Sequence, residues 1–133
     1  MNNFKTEEME LIHSYTRAQA IEDGYLVDVS TAAKEAGFKI PVAATRTVWD
    51  GYITPSPEAI ECSGQSERGR LWDVLNMLFF TIKMRPSDPA ATILYKLYFI
   101  MKARQRRLIT LKAICCPGDN GEPVITIMLP EED

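Results

Sequence analysis

The hydrophobic period of this chain changes between its middle and its last forty residues, and that change restricts the folds it can adopt. Residues 66–84, "SERGRLWDVLNMLFFTIKM", place apolar side chains at spacings of three and four, which predicts the strongest helix of the chain. Its apolar stripe consists of Leu71, Val74, Leu75, Leu78, Phe79 and Ile82. The prolines of "RPSDP" end this helix, because each lacks an amide donor and restrains the residue before it.

The last forty residues alternate with a period of two. We favour a strand that is mostly buried on both faces for "TILYKLYFIM", whose spacings also permit a helix, and further strands for "RLITLKAI" and "PVITIML". The turn-rich segment "CPGDNGEP" between the last two predicts a hairpin connection. Helices followed by strands predict an α+β domain over residues 1–133, in which N-terminal short helices and one long central helix pack on a small C-terminal antiparallel sheet.

Local start and stop signals divide the N-terminal part of the chain. We expect a frayed helical arm within residues 1–14, beginning near Thr6. A helix from Thr16 to Gly24 follows, with the capping-box pattern Thr-x-x-Gln at its start. The segment "YLVDV" is β-rich. Ser30 is expected to cap a third short helix that ends at Gly37.

Two further segments complete the prediction of secondary structure. Pro41 suits a first helical position, and "PVAATRTVWDGYI" then spaces its apolar residues as a helix does. The segment Thr54 to Gln65 contains two prolines and a glycine, and we interpret it as the longest loop of the chain.

Composition restricts the size of the core and the cellular compartment in which the protein is expected. With 133 residues, 46% of them hydrophobic, the chain can bury one core without metals or disulfides. The acidic amino terminus does not resemble a secretory signal, and no apolar run is long enough to cross a membrane, so we expect a cytoplasmic protein.

The three cysteines are expected to be reduced thiols, with Cys115 and Cys116 serving as small buried apolar residues. The net charge of -3 argues against general binding to nucleic acid.

Three segments carry a resemblance to a known family. They are residues 15–53, "GRLWDVLNML" and "PGDNGEPVITIMLPEED", of which the last is the most specific. Together they resemble a family of short proteins encoded on plasmids, phages and integrated mobile elements of bacteria, for which no activity is established. The resemblance implies a bacterial or phage cytoplasm and an accessory role. The resemblance transfers no site residues. Together with the missing catalytic constellation and the basic cluster described next, it favours a non-enzymatic protein that binds a host or mobile-element partner, including as an inhibitor of host defence.

A basic cluster between two predicted strands is the leading candidate for partner binding. Lys102, Arg104, Arg106 and Arg107 are expected to gather at one end of the sheet, where guanidinium groups can bind phosphates or carboxylates. A protein partner is favoured, and an acidic or phosphate-bearing one is compatible with this cluster. The alternative is that these charges protect a strand end and keep the sheet soluble.

An enzyme remains the alternative function. His13, Tyr15 and Arg17 lie in a short element that loosely resembles the opening of compact ADP-ribosyltransferase-like domains, and Glu122 is the late glutamate that such chemistry would need. Helix capping explains Thr16 and its neighbours without catalysis. We therefore predict no catalytic residues, no cofactor and no metal site as the main interpretation, with a small nucleotide-binding enzyme as the alternative.

The end of the chain supports two smaller expectations. The acidic segment "PEED" is expected to be a solvated tail. The last strand is expected to be uncapped, so that it and the apolar faces could pair across a two-fold axis in a homodimer.

Overall fold

A computed structural model describes residues 15–84, 92–102 and 105–132, apart from the side chains of Cys62, Ser63 and Lys102. The predicted helix near Thr6 lies outside these residues. The elements, in chain order, are α1 (Arg17–Asp23), β1 (Leu26–Asp28), α2 (Ser30–Ala36), β2 (Val42–Thr45), α3 (Arg46–Val48) with a π-helical turn (Trp49–Ile53), α4 (Pro57–Ser63), α5 (Glu67–Met84), β3 (Thr92–Lys102), β4 (Gln105–Pro117) and β5 (Pro123–Met128). The predicted α+β class is confirmed.

The sheet is larger than predicted and mixed. Its five strands lie in the order β1-β2-β5-β4-β3. The three C-terminal strands are antiparallel neighbours, as expected. Two N-terminal strands extend them, because β2 pairs with β5 in parallel and β1 pairs with β2 antiparallel. The last strand therefore lies between two neighbours, and it offers no free edge for the dimer suggested by the sequence.

The core lies between one face of the sheet and the helices α2 and α5. On α5, the side chains Val74, Leu75 and Leu78 are fully buried, as the apolar stripe predicts. They meet a layer of strand residues that consists of Val42, Ala44, Tyr95, Leu97, Phe99, Ile109, Leu111, Ala113, Ile125 and Ile127. Because side chains alternate along a strand, the intervening residues face the opposite side of the sheet.

The helix predicted from Pro41 is wrong over its first turn. Val42, Ala43 and Ala44 are fully buried in β2, between β1 and β5. Their small side chains fit the crowded middle of a sheet, and this tertiary environment outweighs the local helical spacing. Helical structure begins at Arg46, where the Thr45 hydroxyl accepts a hydrogen bond from the Val48 amide.

The loop predicted between Thr54 and Gln65 contains the helix α4. The Ser56 hydroxyl accepts a hydrogen bond from the Ala59 amide, and Pro57 occupies the first helical position. Gly64 follows the helix with a left-handed backbone, φ 64°. These are ordinary start and stop signals of a helix, and the two prolines obscured them in the sequence.

The predicted boundaries of α1 are confirmed, whereas the role of Ser30 is corrected. Thr16 and Gln19 form the complete capping box, and Gly24 ends the helix with φ 87°. Ser30 is the first residue of α2 rather than its cap. Its amide donates to the Asp28 carboxylate, and its hydroxyl accepts a hydrogen bond from the Val42 amide, which joins α2 to β2.

Arg70 connects α5 to two other elements, and its side chain is 3% exposed. Its guanidinium donates to the backbone carbonyls of Tyr52, at 2.7 Å, and of Ile100. Burial lowers the pKa of this arginine. The side chain therefore joins the π-helical turn to the far end of β3.

Candidate interaction surface on the β3–β4 hairpin

The hairpin of β3 and β4 is positively charged within an acidic protein. Residues 92–117 contain six of the fifteen basic residues of the chain and no aspartate or glutamate. Between residues 105 and 111, β4 pairs with β3 alone, because its pairing with β5 begins at Lys112. This half of the hairpin therefore extends beyond the rest of the sheet.

One face of this hairpin combines exposed apolar and basic side chains. We call it the hairpin face; it consists of Leu94, Lys96, Tyr98, Ile100, Arg106, Leu108, Thr110 and Lys112. Leu94 is 59% exposed and Tyr98 is 56% exposed. The opposite face carries Tyr95, Leu97 and Phe99, which are buried beneath the helices. The alternation of β3 was predicted from the sequence, but both of its faces were expected to be mostly buried.

Tyr98 and Arg106 form the centre of the hairpin face. The Arg106 guanidinium lies 4.6 Å from the centre of the Tyr98 ring. Such a contact positions both groups and leaves the outer N–H donors of the guanidinium available to a carboxylate or phosphate. Lys96 is exposed on the same face, directly across the ladder from Thr110.

The C-terminal residues limit the hairpin face at Lys112. The Lys112 ammonium donates to the backbone carbonyls of Pro130, at 3.1 Å, and Glu132. The Glu132 carboxylate accepts hydrogen bonds from the Leu129 amide, at 2.7 Å, and from the Thr45 hydroxyl, at 2.9 Å. The prediction of a fully solvated tail is therefore wrong for Glu132, which fastens residues 129–132 to the sheet.

The structure describes the side chains of two of the four residues in the predicted basic cluster. Arg106 and Arg107 are exposed at the outer end of β4. They point to opposite faces, because Arg106 pairs with Ile100 and Arg107 pairs with Phe99. Lys102 ends β3, whereas Arg104 and the Lys102 side chain lie outside the described residues.

Of the alternative nucleotide site, Arg17 and Glu122 lie at the turn between β4 and β5, Tyr15 contacts Asp23 and Tyr25, and His13 lies outside the described residues. The Tyr15 hydroxyl donates to the Asp23 carboxylate at 2.5 Å. This hydrogen bond, together with the negative charge of Asp23, raises the pKa of Tyr15 to about 12. The Glu122 carboxylate accepts a hydrogen bond from the Asn120 amide within the turn.

Arg17 forms hydrogen bonds within the fold. Its guanidinium donates at 2.7 Å to the Thr126 hydroxyl and at 2.7 Å to the Ile125 carbonyl. Its own amide and that of Ala18 donate to the Asp119 carboxylate. Partial burial lowers the pKa of Arg17. These contacts fasten α1 to the sheet, and the nucleotide site stays a prediction.

The two adjacent cysteines differ from expectation. Cys115 is exposed and Cys116 is partly buried, so the prediction that both are buried is wrong. Cys115 borders an apolar groove that also contains Phe38 and Phe79.

Within residues 15–84, 92–102 and 105–132, no three histidine, cysteine or carboxylate side chains are arranged to hold a metal ion. No helix in these ranges is long and apolar enough to span a membrane.

Comparison with known proteins assigns the family. The model of DUF6573, a family of unknown function, matches residues 1–133. The chain belongs to the DUF6573 family. Searches of the curated proteins and of the solved structures gave no significant match. For this DUF6573 protein, function must therefore be inferred from its surface chemistry.

Sequence reasoning identified the basic turn of this DUF6573 protein but missed the adjacent strand face. Lys96 and Tyr98 were assigned to a mostly buried strand, because alternation cannot show which face a helix covers. A signal was present: residues 92–117 lack any acidic residue. Charged side chains are rarely buried without a partner, so this charge bias indicates that one face of the hairpin meets solvent.

Proposed function

We propose that this protein is a non-enzymatic interaction protein that binds an acidic surface of a protein partner through its hairpin face. The observation that carries the proposal is the joint exposure of Leu94, Tyr98 and Leu108 beside Lys96 and Arg106, on two strands without an acidic residue. Exposed aromatic and arginine side chains are typical of the energetic centres of protein interfaces. Positive charge adds selectivity for an acidic partner and speeds association.

The partner is sought in the cytoplasm of a bacterium, among proteins of the host or of a phage, plasmid or other mobile element. This part of the proposal is supported by the sequence resemblance described above. Inhibition of a host defence complex is one form that such binding takes. The proposal requires no cofactor, because it assigns the protein no reaction.

Affinity capture with matched variants tests the proposal. The tagged protein is incubated with bacterial lysate, the captured proteins are identified by mass spectrometry, and the partner is purified for calorimetry. We expect the triple variant Lys96→Ala, Tyr98→Ala, Arg106→Ala, which removes the exposed centre of the hairpin face, to lose the partner. The control replaces three exposed basic residues elsewhere, Lys34, Lys39 and Arg68, by alanine, and it should retain the partner.

Salt dependence provides the second measurement. For an interface between opposite charges, the dissociation constant rises by about tenfold between low and physiological ionic strength. Equal affinity of the triple variant and the wild type for the purified partner, or an affinity unaffected by salt, would contradict the proposal.

The alternative enzyme hypothesis is tested by thermal shift. A ligand that binds only the native state raises the melting temperature, so NAD, ATP and related nucleotides are added at saturating concentration. We expect no change, because the described donors of Arg17 and Tyr15 are used within the fold. A nucleotide-induced rise that is lost in Glu122→Gln would instead support the enzyme.

A further inference from the structure

The outer edge of β3 carries an inference that rests on the proposed function and specifies how the partner binds. In the described part of the chain, β3 is the last strand of the sheet and pairs only with β4. An edge strand presents unpaired backbone N–H and C=O groups and can accept a further strand. Eight residues, from Thr92 to Phe99, form the available length.

The remainder of this edge is closed. The Ile100 carbonyl accepts a hydrogen bond from Arg70, and the Met101 carbonyl accepts one from the Ser56 hydroxyl. The helix α4 also contacts β3. The free edge therefore ends at a defined point, and this end sets the register of an added strand.

Two exposed methionines of α5 lie on the same side of the helix as Arg70, which contacts β3. Arg70, Met77 and Met84 are spaced by seven residues, so they lie on one side of the helix. Arg70 reaches β3, which places this side above the strand. Met77 is 41% exposed and Met84 is 75% exposed. The other side of α5 packs towards α2, where the rings of Phe38 and Phe79 are 5.5 Å apart. An added strand would cover the exposed methionines.

The hairpin face defines the other side of the added strand. Along the edge it presents Leu94, Lys96 and Tyr98, which are all exposed. Cross-strand neighbours on one face contact each other directly. A complementary segment therefore carries one acidic residue, opposite Lys96, and an apolar residue two positions away on each side of it. The residues between these three are apolar and contact Met77 and Met84.

A second copy of this chain fits this edge poorly. Antiparallel pairing of two β3 strands that brings Leu94 opposite Tyr98 of the other copy also brings the two Lys96 ammonium groups opposite each other. Like charges in directly opposed positions destabilise a sheet, and an edge lysine is a common means of preventing self-pairing. We propose that the free edge of β3 accepts an extended acidic and apolar segment of the partner as a sixth strand.

Peptide display with matched variants tests this inference. A display library of random dodecapeptides is selected against the purified protein, and selected peptides are synthesised for affinity measurements. We expect the selected peptides to carry alternating apolar residues around one acidic position. When Lys96→Glu is the target of the selection, that position should instead hold lysine or arginine. Exchange of the outward-facing amides between Leu94 and Phe99, those not bonded to β4, should slow by about tenfold in the complex.

A helix variant separates strand addition from other binding on the same face. Met77→Glu should weaken peptide binding by about tenfold, because it places a carboxylate over the added strand. Trp72→Glu is the matched control, since Trp72 is 43% exposed on the other side of α5, and it should bind normally. A peptide that binds Met77→Glu normally and leaves the β3 amides unprotected would overturn the inference, as would failure to select any peptide. If the cellular partner still depended on the basic residues in that case, the proposed function would stand without the strand-addition mode.

Discussion

At the scale of single residues, the most constrained side chain is Arg70. It is a buried cation whose described partners are the carbonyls of Tyr52 and Ile100 and the side chain of Gln65. Since the carbonyl groups would lose a charged donor, Arg70→Met should lower the free energy of unfolding by about 2–4 kcal/mol. Urea unfolding measures this change. The exposed Arg68→Met is the control, and an equal loss in both variants would show that the contacts of Arg70 contribute no specific stability.

Tyr15 provides a prediction about pH. Its hydroxyl donates to Asp23, and its pKa is raised to about 12. For a group whose folded pKa exceeds the unfolded value, the stabilising contribution is complete below the unfolded value near 10 and is lost as pH rises through about 12. The difference in ultraviolet absorbance between the wild type and Tyr15→Phe should therefore titrate near 12. When both proteins also carry Asp23→Asn, this difference should titrate at lower pH. An unchanged midpoint would exclude the Asp23 carboxylate as the cause of the raised pKa.

At the scale of elements, the contact between α2 and α5 depends on Gly37. Its φ of 113° disfavours any other residue, and an added Cβ would lie 2.9 Å from two atoms of the Phe79 ring. Gly37→Ala should therefore cost about 2–4 kcal/mol, from backbone strain and steric overlap together. Gly121→Ala isolates the strain, because Gly121 has φ 83° and no neighbour within 4 Å. It should cost about 1 kcal/mol, and equal losses in thermal or urea unfolding would show that Phe79 yields without cost.

The elements also show where local signals succeed. The boundaries of α1 follow from local contacts: Thr16 and Gln19 bond to each other at its start, and the Gly24 amide donates to the Ile21 carbonyl at its end. The long helix α5 was predicted from its own apolar spacing. The strand β2 was missed, because its neighbours β1 and β5 decide its conformation. Its partner β5 lies at the other end of the chain, beyond the reach of any local pattern.

At the scale of the whole molecule, Lys96 is expected to keep the free edge of β3 from pairing with itself. The wild type should sediment as a monomer, whereas Lys96→Val should self-associate as its concentration rises, because a charged edge residue is replaced by a strand-favouring apolar one. Analytical ultracentrifugation at several concentrations measures this difference.

Thr110→Val is the control for this prediction. Thr110 lies directly across from Lys96, on a part of β4 that β5 does not cover, but it is uncharged, so its replacement removes no edge charge. It adds apolar surface to the same face and should leave the protein monomeric. Equal self-association of both variants would show that added apolar surface, and not the loss of the Lys96 charge at the edge, causes the association.

The candidate site divides in the same way between local and tertiary information. The sequence located Arg106 and Arg107 in a basic turn between two strands, because charge and alternation are properties of neighbouring residues. Which side of those strands meets solvent depends on where α5 packs, and the sequence did not show it. Tyr98 and Lys96 therefore became visible as surface residues only in the folded protein.

The sequence by itself determined the α+β class, the two capped ends of α1, the extent of α5 and the antiparallel direction of the last three strands. Each of these depends on hydrogen bonds or apolar periodicity within a short stretch of chain. The tertiary structure decided that β2 is a strand, that β5 is central and that β3 is left at the edge. Those outcomes depend on backbone pairing and burial between distant segments, which become favourable only when the whole core assembles.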